Sequence, residues 1–509
     1  MPPFATLWHA LRHWADETPA RIALRQGERA VAYQDLAVKA EDYARFLRSS
    51  GVQNGDRVII VGLNIIEWVV AYLAVMRLGA IAVPANNRIS ALQMADLVGL
   101  LEARVAIADE RHASLLAQAP ISVLPMEKAM AVAMSAWEDL PEFVTGEAPA
   151  LISFSSGTTG EPKGALLSTE ALCTASEVFR LFFRATSADS TVVIAPMFHN
   201  TGFIDQFGQM LLAGGETMLV EEFHRKEAVA AFKAAPATFV TAVPSVLRML
   251  MILDDADAVF GPARTVLFGG SPMPAAWSRE MLERWPHLEL VHGYGLTEFG
   301  CACSFLPPEM ITNFGESVGF AAPFAELRVV GEDGRDVAQG ASGEVWVAGP
   351  TRMTEYWRRP EANGEKLFGK WLRTGDLGRF DDAGRLFLHG RRDDVINRGG
   401  EKILPSHLEC LLAELPEIGY CVVIGIPDPV LQEVPVAAIE IRPGRAFDES
   451  RARSFLAARL PAYAMPAHFM VFDPFPRIAS GKVDRRNVRD AVIRTLEQQS
   501  ANSGGSDET

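Results

Sequence analysis

From about residue 57 to 292, short β-branched runs alternate with helical stretches, a pattern that few folds satisfy. The runs "RVIIV", "ALISFS", "TVVIAP", "ETMLV", "TFVTAV", "TVLFGG" and "LELVHG" are separated by segments such as "STEALCTASEVFRLFF" and "KEAVAAFKAAP". Continuous apolar strands divided by helices predict parallel sheets covered by helices on their faces. Between 317 and 390 the runs shorten to period-2 character with turn signals, "VVGEDGRDV" and "RFDDAGRLFLHG", which predicts a smaller antiparallel β unit. After "GRRDD" come strand-like "YCVVIGIP" and "VPVAAIEIRP" and a helix near "DESRARSFLAARLP". They predict a separate α+β domain of roughly 100 residues. At 509 residues the chain is too long for one core. The closing "EQQSANSGGSDET" is polar and reads as disordered.

Charge narrows the function. A formal net charge of -15 opposes a nucleic-acid or anionic-membrane partner, because both require an extended basic face. Any phosphate must be held by local donors. Five cysteines (Cys173, Cys301, Cys303, Cys410, Cys421) lack the paired spacing of a zinc site and fit a reducing cytoplasm. The first residues, "MPPFATLWHALRHWADETPA", lack a signal-peptide pattern, so secretion is not indicated. The most apolar region, "RVIIVGLNIIEWVVAYLAVMRLGAIAVPA", is interrupted by Asn64, Glu67 and Arg77 and reads as buried strand, helix and strand, not as a membrane span.

The stretch "SFSSGTTGEPKGALLS", 153–168, is suited to phosphate. It is not the P-loop of ATPases and GTPases, whose lysine directly follows the last loop glycine, because Glu161 and Pro162 separate Gly160 from Lys163. Backbone N–H groups of a Gly/Thr loop can still wrap an anion, with donors from the Thr158 and Thr159 hydroxyls and charge from Lys163. A polar surface turn is the alternative for such a string, so companion motifs decide.

Those companions are "GYGLTE" at 293–298, "WLRTGDLG" at 371–378, "GRRDDVINRGGEKI" at 390–403 and "ASGKVDRR" at 479–486. Together with "SSGTTGEPKG" they resemble, in order and over nearly the whole chain, the adenylate-forming superfamily of acyl-CoA synthetases, peptide-synthetase adenylation domains and luciferases. The resemblance implies an α/β N-terminal adenylation domain over 1–392 and a small mobile C-terminal domain over 393–492, hinged at Asp393, with 493–509 as a disordered tail. It also implies ATP, Mg2+ and coenzyme A as cofactors. A carboxylate would attack the α-phosphorus of ATP, giving acyl-AMP and pyrophosphate, and a thiol would then attack the acyl carbon. A carboxylic acid with a pKa of about 4 is already ionised at neutral pH, so the first step needs charge cancellation and positioning, not a base.

By the same resemblance, Glu298 is the magnesium ligand, suited by its hard carboxylate oxygen, and Thr297 reaches the α-phosphate. The ATP-binding positions are Ser155, Ser156, Gly157, Thr158, Thr159, Gly160, Lys163, Gly270, Ser271, Pro272, Gly293, Tyr294, Gly295, Asp376 and Arg391. Tyr294 stacks on adenine against the "GGSP" turn, or is simply a core aromatic. Asp376 accepts both ribose hydroxyls, and Arg391 contacts ribose and phosphate. Lys482 bridges the carboxylate oxygen and α-phosphate in the first transition state. Gly399 and Gly400 in "RGGEK" admit the pantetheine arm. His199 lies beside the acyl pocket or is a core histidine. The segment "TGFIDQFGQMLLAGG" reads as an amphipathic helix whose Phe203, Phe207 and Met210 line the acyl tunnel or pack the core.

The wording of "GYGLTE" and "INRGGEKI" is nearer to fatty-acid and aryl-acid CoA ligases than to amino-acid activators, so an ATP-dependent acyl-CoA synthetase is expected. An acyl-AMP ligase that loads a carrier protein and a silent nucleotide- or acyl-binding homologue are the alternatives. Intact Glu298, Asp376 and Lys482 oppose the last. The acid is read as mainly apolar and medium-sized, and oligomeric state stays open, a homodimer included.

Overall fold

The computed structural model describes residues 3–133, 140, 145–155, 162–271, 273–442, 444–477 and 483–503. The expected alternation is present. Strand Arg57–Val61, helix Ile66–Arg77 and strand Ile81–Pro84 form a parallel unit in register Arg57↔Ile81, and the helix is buried along almost all of its length. Ten apolar or small residues in one turn-and-a-half after another leave that helix no polar face, so it is covered by protein. No helix among the described residues is long and apolar enough to cross a membrane.

The chain divides into two compact units, Met1–Leu327 with Trp346–Arg373, and Arg328–Val345 with Thr374–Thr509. The first holds two sheets. In one, Ile22–Gln26, Glu216–Leu219, Ser190–Val193, Phe239–Ala242, Thr265–Gly269 and Glu289–Leu296 follow each other in parallel. Antiparallel Cys301–Leu306 and Ser317–Ala321 continue beyond Glu289–Leu296. Helices Arg225–Ala234, Pro244–Met251 and Ala275–Arg284 pack on it through a core that includes Phe232, Leu247, Phe260, Phe268, Met281 and Trp285. The second sheet runs Glu355–Tyr356, Lys163–Ser168, Pro149–Ser155, Ile81–Pro84, Arg57–Val61, Val105–Ala108, Ser122–Pro125.

The second unit carries the antiparallel residues 376–380 and Leu386–Arg391 and a small sheet. In that sheet Ile418–Asp428 and Gln432–Ile441 form a long hairpin, flanked by the hairpin Ile396–Arg398/Glu401–Ile403 and by parallel His468–Val471. The strands and helix read from "YCVVIGIP", "VPVAAIEIRP" and "DESRARSFLAARLP" are all there, the helix as Glu449–Ala457 with Asp448 as its N-cap.

Two local expectations need correction. Disorder was expected for 493–509, yet helix Arg485–Ser503 runs through the first part of that span. Val488 and Val492 are fully buried, and Ile493 and Leu496 pack on the same cluster, an i, i+4 stripe that polar neighbours hide in the sequence. Residues 504–509 lie outside the described residues. The segment after His199 is not amphipathic: it is a π-helix, Thr201–Gly208, continued by α-helix Gln209–Ala213, buried on all sides from Gly202 onward. Gly208 allows this packing, since a Cβ there would lie 2.2 Å from Ser176 Oγ on helix Thr169–Phe182.

Candidate active site

The parallel strands end where ligands of open α/β sheets bind, at their carboxyl edge. Gly269 and Gly293 are register partners there, and a Cβ on Gly269 would lie 2.5 Å from the Gly293 carbonyl oxygen. Only glycine permits that approach. Gly270 then turns the chain at φ +77°, with Ser271 half-buried after it. Pro272 lies outside the described residues. Tyr294 follows Gly293 and is 9% exposed, at a bulge between Tyr294 and Gly295 that re-aims the strand. One turn, Thr297–Phe299, presents Thr297 and Glu298 and closes at Gly300 with φ +60°.

Glu298 is held from a segment the motifs did not mark. The Tyr356 hydroxyl donates to Glu298 Oε1 at 2.6 Å, and the Met353 N–H donates to the Glu298 carbonyl at 2.8 Å. Tyr356 sits on strand Glu355–Tyr356, which pairs with strand Lys163–Ser168 in register Tyr356↔Ala165. Lys163, opposite Ser155 in the neighbouring register, places its Nζ 5.8 Å from the centre of the Tyr356 ring. Among the described residues its ammonium has no ion-pair partner and Glu298 Oε2 has no hydrogen-bond partner. The geometry thus brings the loop lysine and the acid of "GYGLTE" to one tyrosine, the lysine over its ring and the acid at its hydroxyl. Ser156, Gly157, Thr158, Thr159 and Gly160 lie outside the described residues.

His199 is half-buried against Phe198, ring centres 4.5 Å apart. Its neighbour Asn200, 7% exposed, accepts from Ser153 Oγ at 2.6 Å, while its Nδ2 has no partner among the described residues. That leaves a buried amide donor in contact with strand Pro149–Ser155, although 47 residues separate Asn200 from Ser153 in the chain. Phe203 is fully buried and packs against Tyr72 and Trp68, ring centres 5.5 and 6.4 Å away, and Phe207 and Met210 are buried as well. The Tyr72 hydroxyl is buried without a partner among the described residues.

In the second unit Asp376 and Arg391 are direct cross-strand partners, and Arg391 Nε lies 3.2 Å from Asp376 Oδ1. The Asp376 N–H donates to Thr374 Oγ1 at 3.0 Å, and that hydroxyl donates to the Val345 carbonyl at 2.7 Å. The Asp376 side chain is 11% exposed and keeps a guanidinium beside it, which balances its charge. Asp393 lies in the turn Arg392–Asp394. Gly399 and Gly400, φ +57° and +96°, form the two-residue loop of a hairpin that needs left-handed backbone at both positions. Lys482 lies outside the described residues; its flanks are Arg477, bridged to Val483, and Asp484, which caps helix Arg485–Ser503 through the Asn487 N–H at 3.1 Å.

A hard carboxylate whose Oε2 has no hydrogen-bond partner among the described residues, joined through Tyr356 to the loop lysine, fits an ion that brings most of its own ligands as water and phosphate oxygen. No group of three metal-ligating side chains exists among the described residues. Family comparison decides the class. The model of the AMP-binding enzyme matches residues 11–357, and that of the AMP-binding enzyme C-terminal domain matches 407–482. The chain belongs to the AMP-binding enzyme family. This AMP-binding enzyme is 32% identical to the indoleacetate–CoA ligase of Aromatoleum aromaticum over 95% of its own length and 98% of the relative. It is 30% identical to the 2-succinylbenzoate–CoA ligase of Geobacillus kaustophilus, with 96% and 99% covered. Its fold matches the o-succinylbenzoate CoA synthetase of Bacillus subtilis in complex with the acyl-adenylate intermediate, TM-score 0.85 at 26% identity over 95% and 98% of the chains. It matches ATP-bound MatB from Rhodopseudomonas palustris with TM-score 0.87 at 25% identity, over 96% and 99%. The AMP-binding enzyme is accordingly an AMP-forming acid–thiol ligase that uses ATP, Mg2+ and coenzyme A.

Proposed function

We propose that this enzyme activates a monocarboxylic acid with an aromatic tail, and that the residues named above divide the work as follows. A carboxylate oxygen of the acid attacks the α-phosphorus, the bond from that phosphorus to pyrophosphate breaks, and acyl-AMP remains. Lys163, with the Thr158 and Thr159 hydroxyls, holds the departing phosphates, while Thr297 donates to the α-phosphate. Glu298 would hold Mg2+, which when bound neutralises charge on the phosphates. Asp376 accepts from the ribose hydroxyls, Arg391 steadies ribose and phosphate, and Tyr294 covers adenine. Lys482 cancels charge between the two reacting anions, and no general base is needed. The coenzyme A sulfur then attacks the acyl carbon, loses its proton to solvent and displaces AMP, with Gly399 and Gly400 beside the pantetheine arm. The chain divides functionally at 392/393, with Asp393 as the hinge between the two half-reactions.

The observation that carries the first half-reaction is the Lys163–Tyr356–Glu298 arrangement, which sets a cation and a carboxylate for phosphate and metal on one support. The aromatic tail is supported by the cluster of Trp68, Tyr72 and Phe203 under the π-helix, and by relatives named for indoleacetate and ferulate. Pyrophosphate release, measured across short, medium-chain, aryl and dicarboxylic acids with ATP and Mg2+, tests it. Highest kcat/KM for an aryl monocarboxylate is expected; a linear fatty acid or a dicarboxylate in first place would reject the tail assignment. Omitting coenzyme A should leave acyl-AMP on the enzyme, and acyl-AMP that persists after coenzyme A is added would point to a carrier protein as acceptor.

A further inference from the structure

Glu298 and Lys163 carry opposite charges and contact the same buried side chain, Glu298 through the Tyr356 hydroxyl at 2.6 Å and Lys163 over the ring, 5.8 Å from its centre. Left to themselves, such groups pair, and both incoming ligands would then have to break that pair. Tyr356 prevents it in two ways. Its hydroxyl fills one lobe of the carboxylate, and its ring face is the surface on which the ammonium rests. We propose that Tyr356 is a positioning residue that keeps the Glu298 carboxylate aimed at the metal and apart from Lys163; this rests on Glu298 being the Mg2+ ligand.

The support around Tyr356 is rigid on every side. It is 2% exposed, its N–H donates to Asn363 Oδ1 at 2.6 Å, and Asn363 Nδ2 donates back to its carbonyl at 3.1 Å. The next residue, Trp357, donates its N–H to the Gly164 carbonyl at 2.8 Å, beside Lys163 in the chain, and Thr354 donates to Leu166 at 2.8 Å. A single short segment therefore fixes the strand that carries the loop lysine and, through Met353 and Tyr356, the turn that carries the acid. Partners of this kind, which orient a metal ligand without touching the metal, typically change metal affinity by about 10–100-fold when removed.

The test separates this role from mere packing. Calorimetric titration of ATP into the full-length enzyme, with and without Mg2+, gives the factor by which the metal tightens ATP binding. In Tyr356→Phe that factor should fall by about tenfold, while ATP affinity without Mg2+ stays at the wild-type value. The substitution keeps the ring, and half-buried Glu298 can take water in place of the lost hydroxyl. Asn363→Ala, which frees the Tyr356 backbone and leaves the hydroxyl, should reduce the same factor to a smaller extent. In a Glu298→Gln background Tyr356→Phe should change nothing further. Equal weakening of ATP with and without Mg2+, no effect at all, or full additivity with Glu298→Gln would overturn the proposal. Glu298→Gln with an undiminished Mg2+ factor would instead reject Glu298 as the ligand.

Discussion

His292 shows how one buried side chain can set a pH limit on the fold. It lies in strand Glu289–Leu296 next to Gly293, stacks on Phe268 at 4.6 Å and donates from Nδ1–H to the Ser317 carbonyl at 2.9 Å. Burial lowers its pKa from the ordinary value of 6.5 to about 4, opposed only in part by the Ser317 and Gly315 carbonyls. The unfolded chain therefore binds one proton more than the folded one between those two values, so stability falls as pH drops through that window. The full effect is about 3 kcal/mol. Chemical denaturation of His292→Gln at a series of pH values should show an acid limb shallower by that one proton, and an unchanged limb would contradict it. At this scale the motifs in the sequence name Glu298, Asp376 and Lys163, and the structure supplies their neighbours: Tyr356 at Glu298 and Lys163, and Arg391 at Asp376. Tyr356, Asn200 and His292 were not legible, because each acts through a partner far away in the chain or through burial alone.

Elements were legible wherever hydrophobic period and turn chemistry agreed. The parallel strands follow from β-branched runs, whereas the hairpin around Gly399–Gly400 is found only in the structure. The π-helix and the C-terminal helix were misread because a uniformly buried segment has no polar face to report, and a helix held by four apolar residues looks polar overall. The hairpin makes a prediction. Gly400 has φ +96° and open space around its missing Cβ, so a side chain there is opposed by backbone strain and not by collision. Gly400→Val should strain that turn by about 1–2 kcal/mol. Thioester formation should slow while ATP–pyrophosphate exchange keeps its wild-type rate; equal loss in both assays would remove the hairpin from the second half-reaction.

Over the whole molecule, a net charge of -15 means that phosphate binding rests on a few local donors, which makes each cation in the scheme individually testable. The fold class was readable because alternation over more than two hundred residues admits few solutions, whereas the partners that hold each site residue arise only when distant segments meet. The first half-reaction joins two anions electrostatically, with Lys482 proposed as the group that cancels charge at the reacting centre. Lys482→Ala should therefore lower acid-dependent ATP–pyrophosphate exchange by about 10²–10³-fold, while ATP still binds and synthetic acyl-AMP is still converted to the coenzyme A thioester at the wild-type rate. Undiminished exchange, or equal loss of both half-reactions, would contradict it.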